Sequence, residues 1–129
     1  MEKQITDELA MIDQTILDIL DDHRGHEKRI SRDGLLLLIN RQLYNQPGFP
    51  VRDRLMRTHI EQLRRKSEAG AWICSCLDGG YFLAESLQEL DTYLNSEQSR
   101  LVHLAKKINR QRKVAGLPLS GQLRLAEEG

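Results

Sequence analysis

The stretch Val51-Arg-Asp-Arg-Leu-Met-Arg-Thr-His-Ile-Glu-Gln-Leu-Arg-Arg-Lys66, continuing through Ala69-Gly70, Trp72-Ile-Cys-Ser-Cys76, Asp78-Gly-Gly80 and Tyr81-Phe-Leu83, decides how this chain is read. Met56, Ile60 and Leu63 recur at three and four residues, the spacing of one buried helical stripe. At 100° per residue Arg54, Thr58, Glu61, Gln62 and Arg65 fall on the opposite, outward side, which is polar and mostly basic. Ala69-Gly70 closes the helix. From Trp72 the period becomes alternating, with Trp72, Cys74 and Cys76 on one face and Ile73, Ser75 and Leu77 on the other. Asp78-Gly79-Gly80 supplies the positive φ angles of a tight hairpin, and the strand after it is Tyr81-Phe-Leu83.

A helix followed at once by a short two-stranded hairpin is the order found in the second half of a winged helix-turn-helix, where the helix enters a DNA groove and the hairpin lies beside it. The fold class expected is therefore mainly α with a small β-hairpin. It has an extra N-terminal helix and a long C-terminal amphipathic helix.

Working outward, Ser31 is the N-cap of a preceding helix that runs through Leu35-Leu-Leu-Leu-Ile39 towards Tyr44. Five consecutive apolar residues surround a helix, so this one needs cover on more than one side. Gly34 inside it costs about 1 kcal/mol relative to Ala, and close approach of another backbone would explain its presence. Asn45-Gln-Pro-Gly-Phe-Pro50 is a loop, since two prolines and a glycine do not continue a helix.

Further out, Thr6 followed by Asp7 and Glu8 reads as an N-cap with first-turn acids. Leu9, Ile12, Ile16 and Ile19 then form a stripe that ends near His23-Arg-Gly25, with Asp7, Asp13, Asp18 and Asp21 on the solvent side. Downstream, Ser86-Leu-Gln-Glu89 is a capping box in which Glu89 reaches back to the cap. It opens a helix carrying Leu87, Leu90, Leu94, Leu101, Leu104 and Ile108 at heptad spacing, with only the Glu97 slot polar. That is a dimerisation seam, or equally a face for the N-terminal helix. Gly116 and Pro118 stop it. The expected organisation is an acidic amphipathic helix over 1–27, a core over 28–85, the long helix over 86–116 and a loose tail over 117–129.

The chain has 129 residues, 40% of them apolar and 29% charged, which suits one domain with a modest core. The formal net charge is zero, yet the charge is sorted: residues 1–27 carry −6, 28–66 +7, 67–99 −6 and 100–113 +6. Screening over about 8 to 10 Å lets each block act on its own, so a local basic face is compatible with neutrality. The alternative use of the blocks is to pair with one another. The longest apolar run, Leu35 to Ile39, is too short to span a bilayer. The acidic start lacks the features of a signal peptide, so a cytoplasmic location is expected and no membrane partner.

With Met56, Ile60-Glu-Gln-Leu-Arg64, Gly70, Ile73-Cys-Ser75, Gly80-Tyr-Phe-Leu-Ala84 and Ser86-Leu-Gln-Glu-Leu90 in this order, residues 30 to 108 resemble small winged helix-turn-helix proteins of phages and prophages. The resemblance implies a DNA-binding protein of transcription or replication control in a bacterial host cell. The isoleucine, cysteine and glycine-aromatic positions would be scaffold, and the outward positions of 52 to 65 would make contacts. The chain differs from that pattern in the lengthened connection Tyr44 to Pro50, the acidic N-terminal helix and a hairpin without Lys or Arg.

The candidate DNA contacts are Arg52, Arg54, Arg57, Thr58, Gln62 and Arg65, with Lys28, Arg29 and Arg32 as further phosphate contacts. Arginine gives two hydrogen bonds to guanine O6 and N7, and threonine touches a thymine methyl. The competing reading of these arginines is a solvated face with partners such as Arg57 with Glu61, and Glu61 itself repels phosphate. A homodimer would match a palindromic site with half-sites about 34 Å or a multiple apart.

His23-x-x-His26 and Cys74-x-Cys76 do not have the spacing of a structural zinc site, and His59 and His103 read as partly packed helix residues. No set of catalytic groups or phosphate loop is present, so neither metal, cofactor nor enzyme activity is expected. The rival expectation is a phage-encoded inhibitor or adaptor acting on a host protein complex, for instance a CRISPR-Cas nucleic-acid complex. The acidic segments favour it.

Overall fold

A computed structural model describes residues 2–119, with side chains described from residue 11 onward. It is mainly helical with one small hairpin: α1 (Glu2–Asp21), α2 (Arg32–Gln42), α3 (Asp53–Lys66), β1 (Ile73–Ser75), β2 (Tyr81–Leu83) and α4 (Leu87–Ala115). Short 3-10 turns cover His26–Lys28 and Gly70–Trp72. The chain divides into two compact units at Leu90/Asp91. No described helix is long and apolar enough to cross a membrane.

In the first unit α1, α2, α3 and the hairpin enclose one core. Ile12, Ile16, Ile19 and Leu20 of α1 meet Leu35 and Ile39 of α2, Met56, Ile60 and Leu63 of α3, and Ile73, Tyr81 and Leu83 of the hairpin. The α1 stripe is as expected from Ile12 onward, but the helix begins at Glu2, before Thr6. Thr6 is therefore inside the helix and not its cap, and the side chains of Thr6, Asp7, Glu8 and Leu9 lie outside those described, as does the expected tail from Ser120.

Ser31 caps α2 by accepting from the Gly34 N–H at 3.0 Å. A Cβ on Gly34 would come within 2.9 Å of that Ser31 hydroxyl and 3.3 Å of Ile30 Cγ1, so the glycine makes room for the cap. It does not admit a second backbone. In the 45–50 connection the Phe49–Pro50 peptide is cis and Asn45 has φ 57°. The Asn40 side chain then ties that connection to α2, its Oδ1 accepting from the Val51 N–H at 2.6 Å and its Nδ2 donating to the Val51 carbonyl at 2.8 Å. Both backbone groups of Val51 are satisfied just before α3 starts.

Trp72 is the last residue of a 3-10 turn rather than the first of a strand, and β1 and β2 pair antiparallel with Cys74 opposite Phe82. The Cys76 N–H donates to the Gly80 carbonyl at 2.8 Å and closes the loop. Cys76 and Leu77 thus leave the predicted strand, and Leu77 is exposed at the tip. The other edge of β2 is also used. Ile30 and Tyr81 exchange two backbone hydrogen bonds of 2.9 and 2.8 Å, the Gly25 N–H donates to the Leu83 carbonyl, and the Leu83 N–H to the His23 carbonyl. Tyr81, Phe82, Leu83 and Ala84 are all buried, Tyr81 and Leu83 in the core and the Phe82 ring edge-on to His26.

Glu89 accepts from the Glu85 N–H at 2.7 Å and from the His26 N–H at 3.2 Å, while its own N–H donates to Ser86 Oγ. Half of the expected capping box is therefore present. Its carboxylate reaches one residue further back than Ser86 and also holds the connector after α1. In the second unit α4 ends at Ala115, where Gly116 has φ 76° and the Leu117 N–H donates to the Arg112 carbonyl at 2.8 Å, a glycine-terminated helix end.

Candidate nucleic-acid interface

The buried side of α3 consists of Met56, His59, Ile60 and Leu63, and His59 is more deeply packed than expected at 2% exposure. Because those four positions are fixed inward, Arg54, Arg57, Thr58, Glu61, Gln62 and Arg65 are turned outward, and all six are exposed and line one open groove along the helix. Five of them are expected contact residues. The sixth, Glu61, places a carboxylate among them.

The cations on this face differ in how they are held. Arg57 Nε lies 3.0 Å from Asp53 Oδ2, one turn back, and Arg32 Nε from the start of α2 lies 3.3 Å from Asp53 Oδ1. Arg57 therefore pairs with Asp53, not with Glu61 as the helical spacing allowed. Glu61 is taken by Arg64 at 2.7 Å. Arg54, Arg65 and the exposed Arg52 have no ion pair among the described residues. Thr58 spends its hydroxyl on the Arg54 carbonyl at 3.0 Å, leaving its methyl as the group free to meet a partner.

Arg64, which the helical pattern did not single out, fastens α3 to the hairpin. Its Nε donates to the Ile73 carbonyl at 3.1 Å, and its other nitrogens reach Ser75 Oγ and Glu61. It is held mostly inside and is a positioning residue for the exposed face. The adjacency of Arg64 and Arg65 in sequence gives no signal of this division, which only the register of the buried stripe assigns.

Lys28 and Arg29 are exposed but do not line the α3 groove. Arg29 donates to Asp78 at 3.3 Å and to the His26 carbonyl at 3.0 Å, so it braces the hairpin loop. Asp78 accepts from the Gly80 N–H, and this bond and then Arg29 hold its carboxyl below the usual carboxylate range. Cys74 is buried and Cys76 half-buried, and neither is joined in a disulfide. Burial, then Asp78, pushes the Cys76 thiol above its ordinary value. His23 is half-buried with Nδ1 2.7 Å from the Lys28 carbonyl, whereas His26 and His103 are exposed, His103 contrary to expectation. Among the described residues no group of three or more His, Cys, Asp or Glu side chains is placed to hold a metal ion.

On α4 the expected seam is largely open: Leu87, Leu94, Leu101 and Leu104 are exposed, and Leu90 and Ile108 are half-buried. The buried positions of that helix are instead Ala105 and Asn109.

Comparison with family models, curated proteins and solved structures finds no match to this chain.

Proposed function

We propose that this chain binds duplex DNA, on a winged helix-turn-helix scaffold of phage type and in the cytoplasm of a bacterial host, with α3 laid in the major groove. The observation that carries the reading is the exposed set Arg54, Arg57, Thr58, Gln62 and Arg65, displayed from a helix whose other side is anchored in the core. Such a helix presents cations to phosphates and forked donors to base edges. The scaffold reading is supported by the order of elements and by the pairing of Ile30 with Tyr81. That pairing is a single bridge in the connection between α1 and α2, and it lays this connection along the free edge of the hairpin. Arg52 and Arg32 flank the start of α3 and would serve phosphates.

Fluorescence anisotropy with labelled duplexes at stepped salt tests the proposal. About four phosphate contacts imply a loss of affinity of roughly 100-fold between 50 and 200 mM salt. The double variant Arg54→Ala with Arg65→Ala should flatten that dependence, and absence of binding to any duplex at 50 mM salt overturns the reading.

A second reading is favoured by Glu61 on the same face and by the lack of Lys and Arg over 67–99. On it, the chain is an inhibitor or adaptor docking on a protein, such as the nucleic-acid-binding surface of a host defence complex. It predicts capture of a protein partner that is insensitive to Arg54→Ala and sensitive to charge changes in the hairpin.

A further inference from the structure

The open leucines of α4 form a strip that specifies its own partner. Leu94, Leu101 and Leu104 are 51%, 51% and 52% exposed, and with Leu87, Leu90 and Ile108 they occupy alternating steps of three and four along one helix. Sustained over three repeats, that spacing is the one at which two helices interlock by side chains. Charge along the same helix is sharply divided. Glu89, Asp91 and Glu97 lie in the first part with no Lys or Arg, and Arg100, Lys106, Lys107, Arg110, Arg112 and Lys113 lie in the second with no Asp or Glu.

We infer that α4 pairs with α4 of a second copy of this chain, antiparallel. Two features choose the direction. A parallel pair would set six bases beside six bases at one end, whereas an antiparallel pair brings the acidic part of each helix beside the basic part of the other. The seam gives the same answer. In a parallel pair each layer joins identical positions, so Glu97 would face Glu97 of the second copy inside the apolar strip, two desolvated like charges. Turned end for end about a point near Ser99, the layers become Leu90 with Ile108, Leu94 with Leu104, and Glu97 with Leu101. The two glutamates are then in separate layers, each still paired with Arg100 of its own helix. This pairing is independent of whether the chain binds DNA.

The test uses the full chain in a Cys76→Ser background, Cys74 being buried. Light scattering should give twice the chain mass at tens of micromolar. Leu94→Asp with Leu101→Asp, checked by circular dichroism for retained helix, should raise the dissociation constant at least tenfold. Orientation is read by mild oxidation of Leu90→Cys and Ile108→Cys variants. Mixed together they should form the 90-to-108 cross-link, and neither should link efficiently alone. Efficient self-linking of each variant would establish a parallel pair and overturn the inference, as would a monomer mass throughout. A folded aspartate double variant that still associates unchanged would also overturn it, by placing the contact elsewhere. Salt gives a further readout: raising it should weaken an antiparallel pair held partly by opposite charges and strengthen a parallel one.

Discussion

His59 Nδ1 lies 2.7 Å from Asp13 Oδ1, joining the buried side of α3 to the face of α1 across 46 residues of sequence. The imidazole is almost wholly enclosed while the carboxylate remains one-third exposed, so the bond sits at the edge of the core. It does for the polar part of the contact what Ile12, Ile16, Met56 and Ile60 do for the apolar part. Together they fix the rotation of α3 about its axis. That rotation decides which arginines face outward.

Asp13→Ala removes the acceptor and leaves a buried ring nitrogen unsatisfied. The expected loss is about 1–3 kcal/mol of unfolding free energy by urea denaturation, with Asp13→Asn recovering part of it because an amide oxygen still accepts. Equal stability of the alanine and native proteins would show that the pair contributes nothing to holding α3.

Gly70 follows α3 at a point where the chain folds back on the helix. A Cβ there would lie 2.2 Å from the Leu63 carbonyl oxygen and 2.7 Å from Leu63 Cβ, and backbone cannot swing aside as a side-chain end can. Gly70→Ala should therefore destabilise by at least the 1–3 kcal/mol typical of overpacking, roughly, by displacing the turn that leads into β1. A thermal or urea midpoint within error of the native one would contradict this packing.

What could be read from the sequence were contacts between near neighbours. The α3 stripe of Met56, Ile60 and Leu63, the Ser31 cap and the Ser86–Glu89 bond all join residues three or four apart, where helix geometry alone dictates the meeting. Asp13 looked like part of the acidic solvent face because nothing near it in sequence announces His59. Arg57 had two acceptors within one turn, Asp53 and Glu61. The structure pairs Arg57 with Asp53 and Glu61 with Arg64, and Arg64 also reaches the hairpin, a long-range contact that the helical spacing does not carry. The second edge of β2 was hidden for a similar reason: Ile30 is a single apolar residue between Arg29 and Ser31, too short a segment to show alternation. On α4 the heptad pattern was visible, but the burial of Ala105 and Asn109 was not, because small and polar residues carry no periodic apolar signal.

Asp53 holds two of the cations expected to meet phosphate, Arg57 and Arg32. Asp53→Asn should release both and remove a negative charge from the binding face. The predicted result is a gain in duplex affinity of about three- to tenfold at 50 mM salt and a steeper salt dependence, by about one or two in slope. Arg57→Ala should cost less affinity than Arg54→Ala, since Arg57 must first leave a carboxylate. Anisotropy titrations of the three variants at several salt concentrations provide the check. An Asp53→Asn protein that is folded and binds more weakly would mean that the Asp53 cluster is needed to shape the site and does not restrain it.

Tyr81 offers a stability probe of the paired β2 strand. It is 8% exposed, and burial, the largest influence, holds its phenol above the ordinary value of 10.0. Below pH 10 folded and unfolded chains both keep this proton, so the group contributes no pH dependence. As pH rises past 10 the unfolded chain releases the proton first and the folded chain retains it, so unfolding becomes easier, at no more than about 1.4 kcal/mol per pH unit, until the folded phenol also ionises. Urea midpoints measured between pH 8 and 11.5 should therefore fall more steeply for the native protein than for Tyr81→Phe. Both carry the same lysines and the same raised Cys76 thiol, so the difference between the curves isolates the phenol. Superimposable slopes would mean that the ring is reached by water in solution and that the Ile30–Tyr81 pairing does not close this edge.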